Sequence, residues 1–200
     1  MKEVIIIGNG PSCIEYEYGD QIDSGRFGDI IRINRGYKQD DGLLNEDTFK
    51  YVGQKTDVWA CSDLRLHLAK ARAKELSKIL VCFPAFKWNA VIAEETENSY
   101  DNIIILPPDY ENWINSLVNF KPKWPSTGIL TLAAAIENYD QVTIHGFDAY
   151  DFKYDTIHFF EDKPNKYKFS NTSDHSCDSE KEFLSLVQEE YNVKQLKDLV

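Results

Sequence analysis

The 200-residue chain is short of positive charge: 22 Lys and Arg stand against 33 Asp and Glu, a formal net charge of −11. General affinity for nucleic acid or for an anionic membrane needs basic surface, so neither is an expected partner. Any anionic ligand must be held by local amides and a few placed cations. Long apolar runs are missing too. Nothing approaches the ~18 residues of a membrane span, and the run Val4–Ile7 meets a glycine turn at once, which is not the pattern of a signal peptide. Cysteine is scarce and scattered. Cys13, Cys61, Cys82 and Cys177 lack C-x-x-C spacing, which favours free thiols in a reducing compartment over a zinc site or a disulfide frame. The expected location is cytoplasmic. Repeats and low-complexity tracts are also lacking. With 42% apolar and 28% charged residues, one α/β domain spanning residues 1–200 is expected.

Short apolar strands alternate with helical stretches. The strand candidates are Glu3–Ile7, 30–33, 58–61, 79–82, 103–106 and 142–145. This alternation predicts a mostly parallel sheet covered on both faces, a Rossmann-like three-layer α/β/α arrangement. Residues 63–77 carry Leu64, Leu68, Ala71 and Leu76 on one helical stripe behind a Ser62 or Asp63 cap. A second helix starts at Pro108 and Asp109, and a third, 126–139, is apolar nearly all round and should be buried. A fourth runs over 179–191 behind Asp178 or Ser179. The polar, aromatic stretch from Tyr150 to Asp174 reads as a long loop, of the kind that often forms a lid or binding loop.

The loop after the first strand, Gly8-Asn9-Gly10-Pro11-Ser12, permits a tight turn and close backbone approach to a phosphate. A dinucleotide fingerprint also wants a third glycine and an acidic ribose ligand about 20 residues on. Cys13 stands at the glycine position, and the second strand closes on Arg32, Asn34 and Arg35 instead of a carboxylate. NAD and FAD are therefore disfavoured. Asn9 and Asn34 both fall at carboxyl ends of strands, where ligands gather in parallel sheets. An amide side chain suits phosphate and ribose hydroxyls, but either residue serves equally well in a turn.

Pro125-Ser126-Thr127-Gly128 places two hydroxyls and unpaired amides at the start of an apolar helix, which is an anion site or simply a cap. Of the four histidines, His67 and His145 sit in a helix and a strand and read as structural. His158 and His175 lie in the loop region, where simple exposure is the plain reading. The pairs Asp40-Asp41 and Asp148 with Asp151 lack a strand-end D-x-D arrangement, so no metal site is expected.

Together these segments resemble the eukaryotic-type sialyltransferases, glycosyltransferase family 29. "IIIGNGPS" and "GDQIDSGRFGDIIRINRG" are similar to sialylmotif L, and "YVGQKTDVW" to the family's Val-Gly-x-Lys-Thr segment. "PSTGILTLAAAIENYDQVTIHGFDAY" is very close to sialylmotif S. "HFFE" (158–161) resembles motif III and "HSCDSE" (175–180) the very small motif, His-x4-Glu. The five stand in order over residues 4–182. Family members usually carry a disulfide between motifs L and S, but the corresponding places here hold residues such as Glu3 and Tyr139. The membrane anchor and stem of the Golgi enzymes are not matched, and the chain is short for a catalytic domain of the family.

The resemblance implies a GT-A-variant fold and inverting, metal-independent transfer of sialic acid from CMP-sialic acid to a glycan hydroxyl, with no cofactor. It assigns CMP-sugar binding to Asn9, Asn34, Ser126, Thr127, Gly128, Gly146 and Phe147. Gly8, Gly10 and Glu180 would support the site, His158 would stabilise the leaving phosphate with the first-loop amides, and His175 would be the general base. An imidazole pKa near ~6.5 suits that last task. Three alternatives remain: a CMP-Kdo transferase, a CMP-sugar-binding relative without turnover, and a nucleotide-dependent oxidoreductase, which a flavin would colour yellow.

Overall fold

The computed structural model describes residues 1–34, 46–62, 66–89, 100–149, 156, 158–160 and 175–200. Its strands are β1 (Glu3–Ile7), β2 (Asp29–Ile33), β3 (Val58–Ser62), β4 (Lys78–Cys82), β5 (Ile103–Ile105), β6 (Gln141–His145) and β7 (Val193–Gln195). They form one sheet in the order β5-β4-β3-β2-β1-β6-β7, and every neighbouring pair is parallel. β1 reads Val-Ile-Ile-Ile after Glu3 and is buried on both faces, as a central parallel strand must be.

Successive side chains of these strands feed opposite layers. On one face Val4, Ile6, Ile31, Ile33, Val58 and Ala60 pack against α4 (Asp109–Leu117), α5 (Thr127–Asn138) and α6 (Cys177–Glu190). On the other, Ile5, Ile7 and Ile30 meet Cys13, Ile22 of α1 (Gly19–Asp23) and Val52 of α2 (Glu46–Val52). Further along that face Trp59, Cys61, Ile79 and Val81 meet Ala69 of α3 (Leu66–Arg72). The expected three-layer α/β/α arrangement is therefore the observed one. The apolar helix α5 is buried from Ile129 to Ala135, because it lies across the middle of the sheet.

Several local expectations are corrected. β7, α1 and α2 were not anticipated; each is short and carries no clear period. The stripe expected over 63–77 forms a helix over Leu66–Arg72; Asp63 and Leu64 lie outside the described residues. The Asn102 amide donates to the carbonyls of Ala73 and Leu76, which stops the helix there, although Leu76 still packs on the core. α6 is capped by Ser176, whose hydroxyl accepts from Ser179 N–H. Neither Asp178 nor Ser179 is the cap. The long loop at 150–174, Arg35, Asp40, Asp41 and Asp151 fall outside the described residues, apart from Thr156 and 158–160.

All four cysteines are free. Around the places the family resemblance marks for a disulfide, noncovalent contacts tie the chain start and the start of β2 to the entry of β6. Tyr139 O–H donates to Asp29 at 2.7 Å, Lys2 Nζ lies 4.3 Å from the Tyr139 ring, and Lys2 N–H donates to Asp140.

Chain order reverses at β1, which has β2 on one side and β6 on the other. This switch point opens a crevice beyond the carboxyl ends of the strands. The loops after β1, β2 and β6 all reach it.

Candidate functional site

The β1 loop is held by the end of β6. Gly8 N–H donates to His145 O at 2.7 Å and Gly10 N–H to Gly146 O at 2.9 Å. A Cβ at Gly8 would stand 2.3 Å from Gly146 O, and one at Gly10 would meet the Asp148 carboxylate at the same distance. These glycines thus allow two backbones to touch. Their amides, expected to face a phosphate, are spent inside the protein. Ser12 N–H is taken as well, by Asp148 Oδ2 at 2.8 Å.

What the loop presents is Asn9. Its side-chain NH2 donates to Ile33 O at 3.1 Å, while its Oδ1 is buried with no partner among the described residues. A buried acceptor without a donor is costly, so this atom calls for an N–H or O–H from a ligand. Asn34 has the opposite polarity. Its backbone lies in the left-handed region (φ 49°), which Asn tolerates better than most residues. Its Oδ1 accepts Ser62 N–H at 3.0 Å and its carbonyl accepts Trp59 Nε1–H at 2.7 Å. That leaves its side-chain NH2 as the group to offer a ligand oxygen. The two asparagines form an acceptor–donor pair across one cleft.

The N-terminus of α5 forms the third wall. Ser126 caps it through its hydroxyl to Ile129 N–H at 3.4 Å, so the capping reading holds for that side chain. The Ser126 amide is occupied by Glu180 Oε1 at 3.2 Å. Thr127 and Gly128, the first two helical residues, have N–H groups with no intrahelical acceptor. Glu180 is almost fully buried, and desolvation lifts its carboxyl from 4.5 to about 7 despite the Ser126 hydrogen bonds.

The four histidines separate clearly. His67 is exposed on α3. His145 is buried at the end of β6 with Nε2 3.2 Å from Cys13 O, and desolvation depresses it to about 4. His158 and His175 are half-buried. The His158 ring stacks on Phe160 at 5.1 Å with 3° between planes, and Phe159 N–H donates to Asn9 O at 2.9 Å, pinning this segment to the β1 loop. His175 Nδ1 lies 3.1 Å from Trp124 O, and Lys123 Nζ donates to His175 O at 3.0 Å. A ring nitrogen facing a carbonyl carries the proton, which puts the basic lone pair of neutral His175 on Nε2.

Gly8, Asn9, Gly10, Asn34, Ser126, Thr127, Gly128, Gly146, Phe147, His158, His175 and Glu180 all line one cleft. Every residue that the resemblance assigned to the site is brought there, from segments up to 172 positions apart in the chain. Sequence reasoning missed Asp148 as the residue that caps the β1 loop, having weighed it only for metal. It also missed Trp124, whose carbonyl sets the His175 tautomer; a backbone carbonyl has no sequence signal.

A parallel α/β fold with a polar cleft at its switch point defines a protein built to hold a small ligand among strand-end loops. The model of glycosyltransferase family 29 (sialyltransferase) matches residues 83–191, more than half of the chain, and the chain belongs to that family. It is 25% identical to human CMP-N-acetylneuraminate-beta-galactosamide-alpha-2,3-sialyltransferase 1 over 90% of this chain and 54% of that protein. It is 24% identical to mouse CMP-N-acetylneuraminate-beta-galactosamide-alpha-2,3-sialyltransferase 2 over 93% and 54%. The chain thus spans about half the length of the curated relatives it matches. Among solved structures, a mammalian sialyltransferase in complex with Gal-beta-1-3GalNAc-ortho-nitrophenol superposes with a TM-score of 0.61 at 20% identity, over 98% of this chain and 69% of that one. A variant of the sialyltransferase CST-II in complex with CMP gives 0.64 at 18%, over 97% and 80%. Among the described residues, no helix is long and apolar enough to cross a membrane.

Proposed function

We propose that this chain transfers sialic acid from a CMP donor to a glycan hydroxyl, by inversion and without a metal ion. The observation that carries the reading is the single cleft that gathers Asn9, Asn34, the α5 N-terminus, His158 and His175. Family membership and the CMP named for one structural neighbour point the same way. In this mechanism His175 Nε2 accepts the proton of the acceptor hydroxyl as its oxygen attacks the anomeric carbon. The bond from that carbon to the phosphate oxygen breaks, and CMP leaves as a monoester. His158, the Asn34 NH2 and the Thr127 and Gly128 amides stabilise the negative charge on the donor and on the leaving group. Asn9 Oδ1 takes a donor group of the nucleotide, such as a ribose hydroxyl. Gly146 and Phe147 line the nucleotide side.

The test is turnover with CMP-sialic acid and CMP-Kdo, each with and without EDTA. CMP-sialic acid is the expected donor, and chelation should leave its rate unchanged. Loss of turnover in EDTA that Mg²⁺ or Mn²⁺ restores would overturn metal independence, and CMP binding with no transfer to any acceptor would leave a binding protein in place of an enzyme.

A further inference from the structure

The segment between α4 and α5 forms a seat for the first turn of α6. Asn119 O accepts Ser179 Oγ–H at 2.9 Å, Trp124 O faces His175 Nδ1 at 3.1 Å, and Ser126 N–H donates to Glu180 Oε1 at 3.2 Å. Lys123 adds a contact from an exposed stem, its ammonium donating to His175 O at 3.0 Å. That carbonyl stands outside the helix. Glu180 N–H goes to Ser176 O and Ser179 N–H to the Ser176 hydroxyl, so the α6 ladder and its cap stop one residue short of His175. The Lys123 charge lies close to this entry. Burial raises the Cys177 thiol pKa, Glu180 adds to the rise, and Lys123 opposes it. Neighbouring residues, Lys123 and Trp124, thus hold the backbone and the ring of one histidine.

We propose that Lys123 is a positioning residue for the base: its ammonium fixes the His175 peptide so that the ring keeps Nδ1–H on Trp124 O and turns Nε2 to the cleft. The inference rests on the function proposed above and adds a residue to its machinery. Lys123 is not among the residues that line the cleft, so it acts through His175. The peptide plane sets where the His175 side chain leaves the backbone, and the ring reaches Trp124 O only while that plane holds. A charged donor makes the stronger kind of hydrogen bond to a carbonyl. An exposed lysine contributes little to the stability of a fold. A displacement of about 1 Å at a reacting group, by contrast, can cost roughly 10²-fold in rate. The contact therefore matters to the base far more than to the fold.

Two variants test this. Lys123→Met keeps the stem and removes the donor, and Lys123→Arg keeps a cationic donor. In ¹⁵N-labelled protein, long-range ¹H–¹⁵N correlation reads which ring nitrogen carries the proton, with His175→Ala assigning the signals. Above the ordinary imidazole pKa of ~6.5, the parent and Lys123→Arg should hold His175 in the Nδ1–H form. Lys123→Met should move it toward the Nε2–H form that free imidazole side chains prefer. With CMP-sialic acid as donor, Lys123→Met should lower kcat about five- to tenfold, a part of what full misplacement costs. Tm should stay at the parental value and calorimetric CMP affinity within about twofold. Lys123→Arg should return kcat to near the parental value. The proposal is overturned if Lys123→Met keeps the Nδ1–H form, if it keeps the parental kcat, or if Lys123→Arg fails to restore either; the proposed function then still stands. If the parent transfers no sugar, the proposed function falls, and the tautomer in Lys123→Met alone decides whether Lys123 orients the ring.

Discussion

The end of β6 and the start of α6 each carry a histidine held by one backbone carbonyl, His145 by Cys13 O and His175 by Trp124 O. The carbonyl contacts are nearly equal, at 3.2 and 3.1 Å, so they do not separate the two rings. Burial does. His145 lies beneath the β1 loop, with the Tyr18 ring edge-on at 5.6 Å, and burial drives its proton off. His175 opens on the cleft. One carbonyl therefore fixes a tautomer in both places, but only His175 keeps its other ring nitrogen on the side of a cleft that could admit a ligand, as the proposed base requires.

Removing each ring tests that contrast, and the largest effect belongs to His175. His175→Ala should lower kcat about 10²–10⁴-fold, the usual worth of a positioned general base, and leave CMP affinity within about twofold. His158→Ala should instead weaken CMP binding as well as slow turnover. Parental turnover in a folded His175→Ala would remove the basis for the contrast.

The next effect is on stability. The folded state depresses His145 from 6.5 to about 4, so the unfolded chain binds more protons in that window and this group makes stability rise with pH. It raises Glu180 from 4.5 to about 7, so the folded chain binds more protons and that group makes stability fall with pH. Each contributes on the order of 3 kcal/mol, and over the shared range from about 4.5 to 6.5 they oppose each other. Glu180→Gln should unmask the rise, and His145→Gln should unmask the fall. Denaturant titrations of both variants and the parent at pH 4.5, 5.5, 6.5 and 7.5 check this; variants that keep the parental pH dependence would refute it.

Smaller effects concern the β1 loop. Gly8→Ala would place a methyl group against the Gly146 carbonyl and should cost about 1–3 kcal/mol of stability, read as a lower Tm. Asn9→Ala should weaken CMP binding by about 1–2 kcal/mol without that loss. Asn34→Ala should do the same and also lower Tm, since Asn34 holds Ser62 N–H and alanine tolerates its left-handed φ less well. Equal CMP affinity in both asparagine variants would show that the acceptor–donor pair faces something other than the nucleotide.

Six of the seven strands and the buried character of α5 were legible in the sequence, because a parallel sheet covered on both faces demands continuous apolar runs. The site residues were legible for a different reason. Short ordered motifs matched a family, while composition and periodicity alone left Asn9, Asn34, Ser126 and the loop histidines open to turn, cap or exposed readings. β7 escaped because three residues, of which only Val193 is buried, carry no period. The true cap of α6 escaped because Ser176, Asp178 and Ser179 are all competent caps, and the choice follows from how the chain enters the helix.

The sequence by itself determined the parallel α/β class, the backbone freedom for a tight turn after β1, and the types of side chain available to a ligand. The tertiary structure decided what those groups are free to do. It spent the amides of Gly8 and Gly10 on β6 and left Asn9 and Asn34 with opposite polarities. It neutralised His145 and set the His175 tautomer through a carbonyl. Hydrogen-bond occupancy and burial depend on which segments meet across the switch point, and no local pattern encodes that meeting.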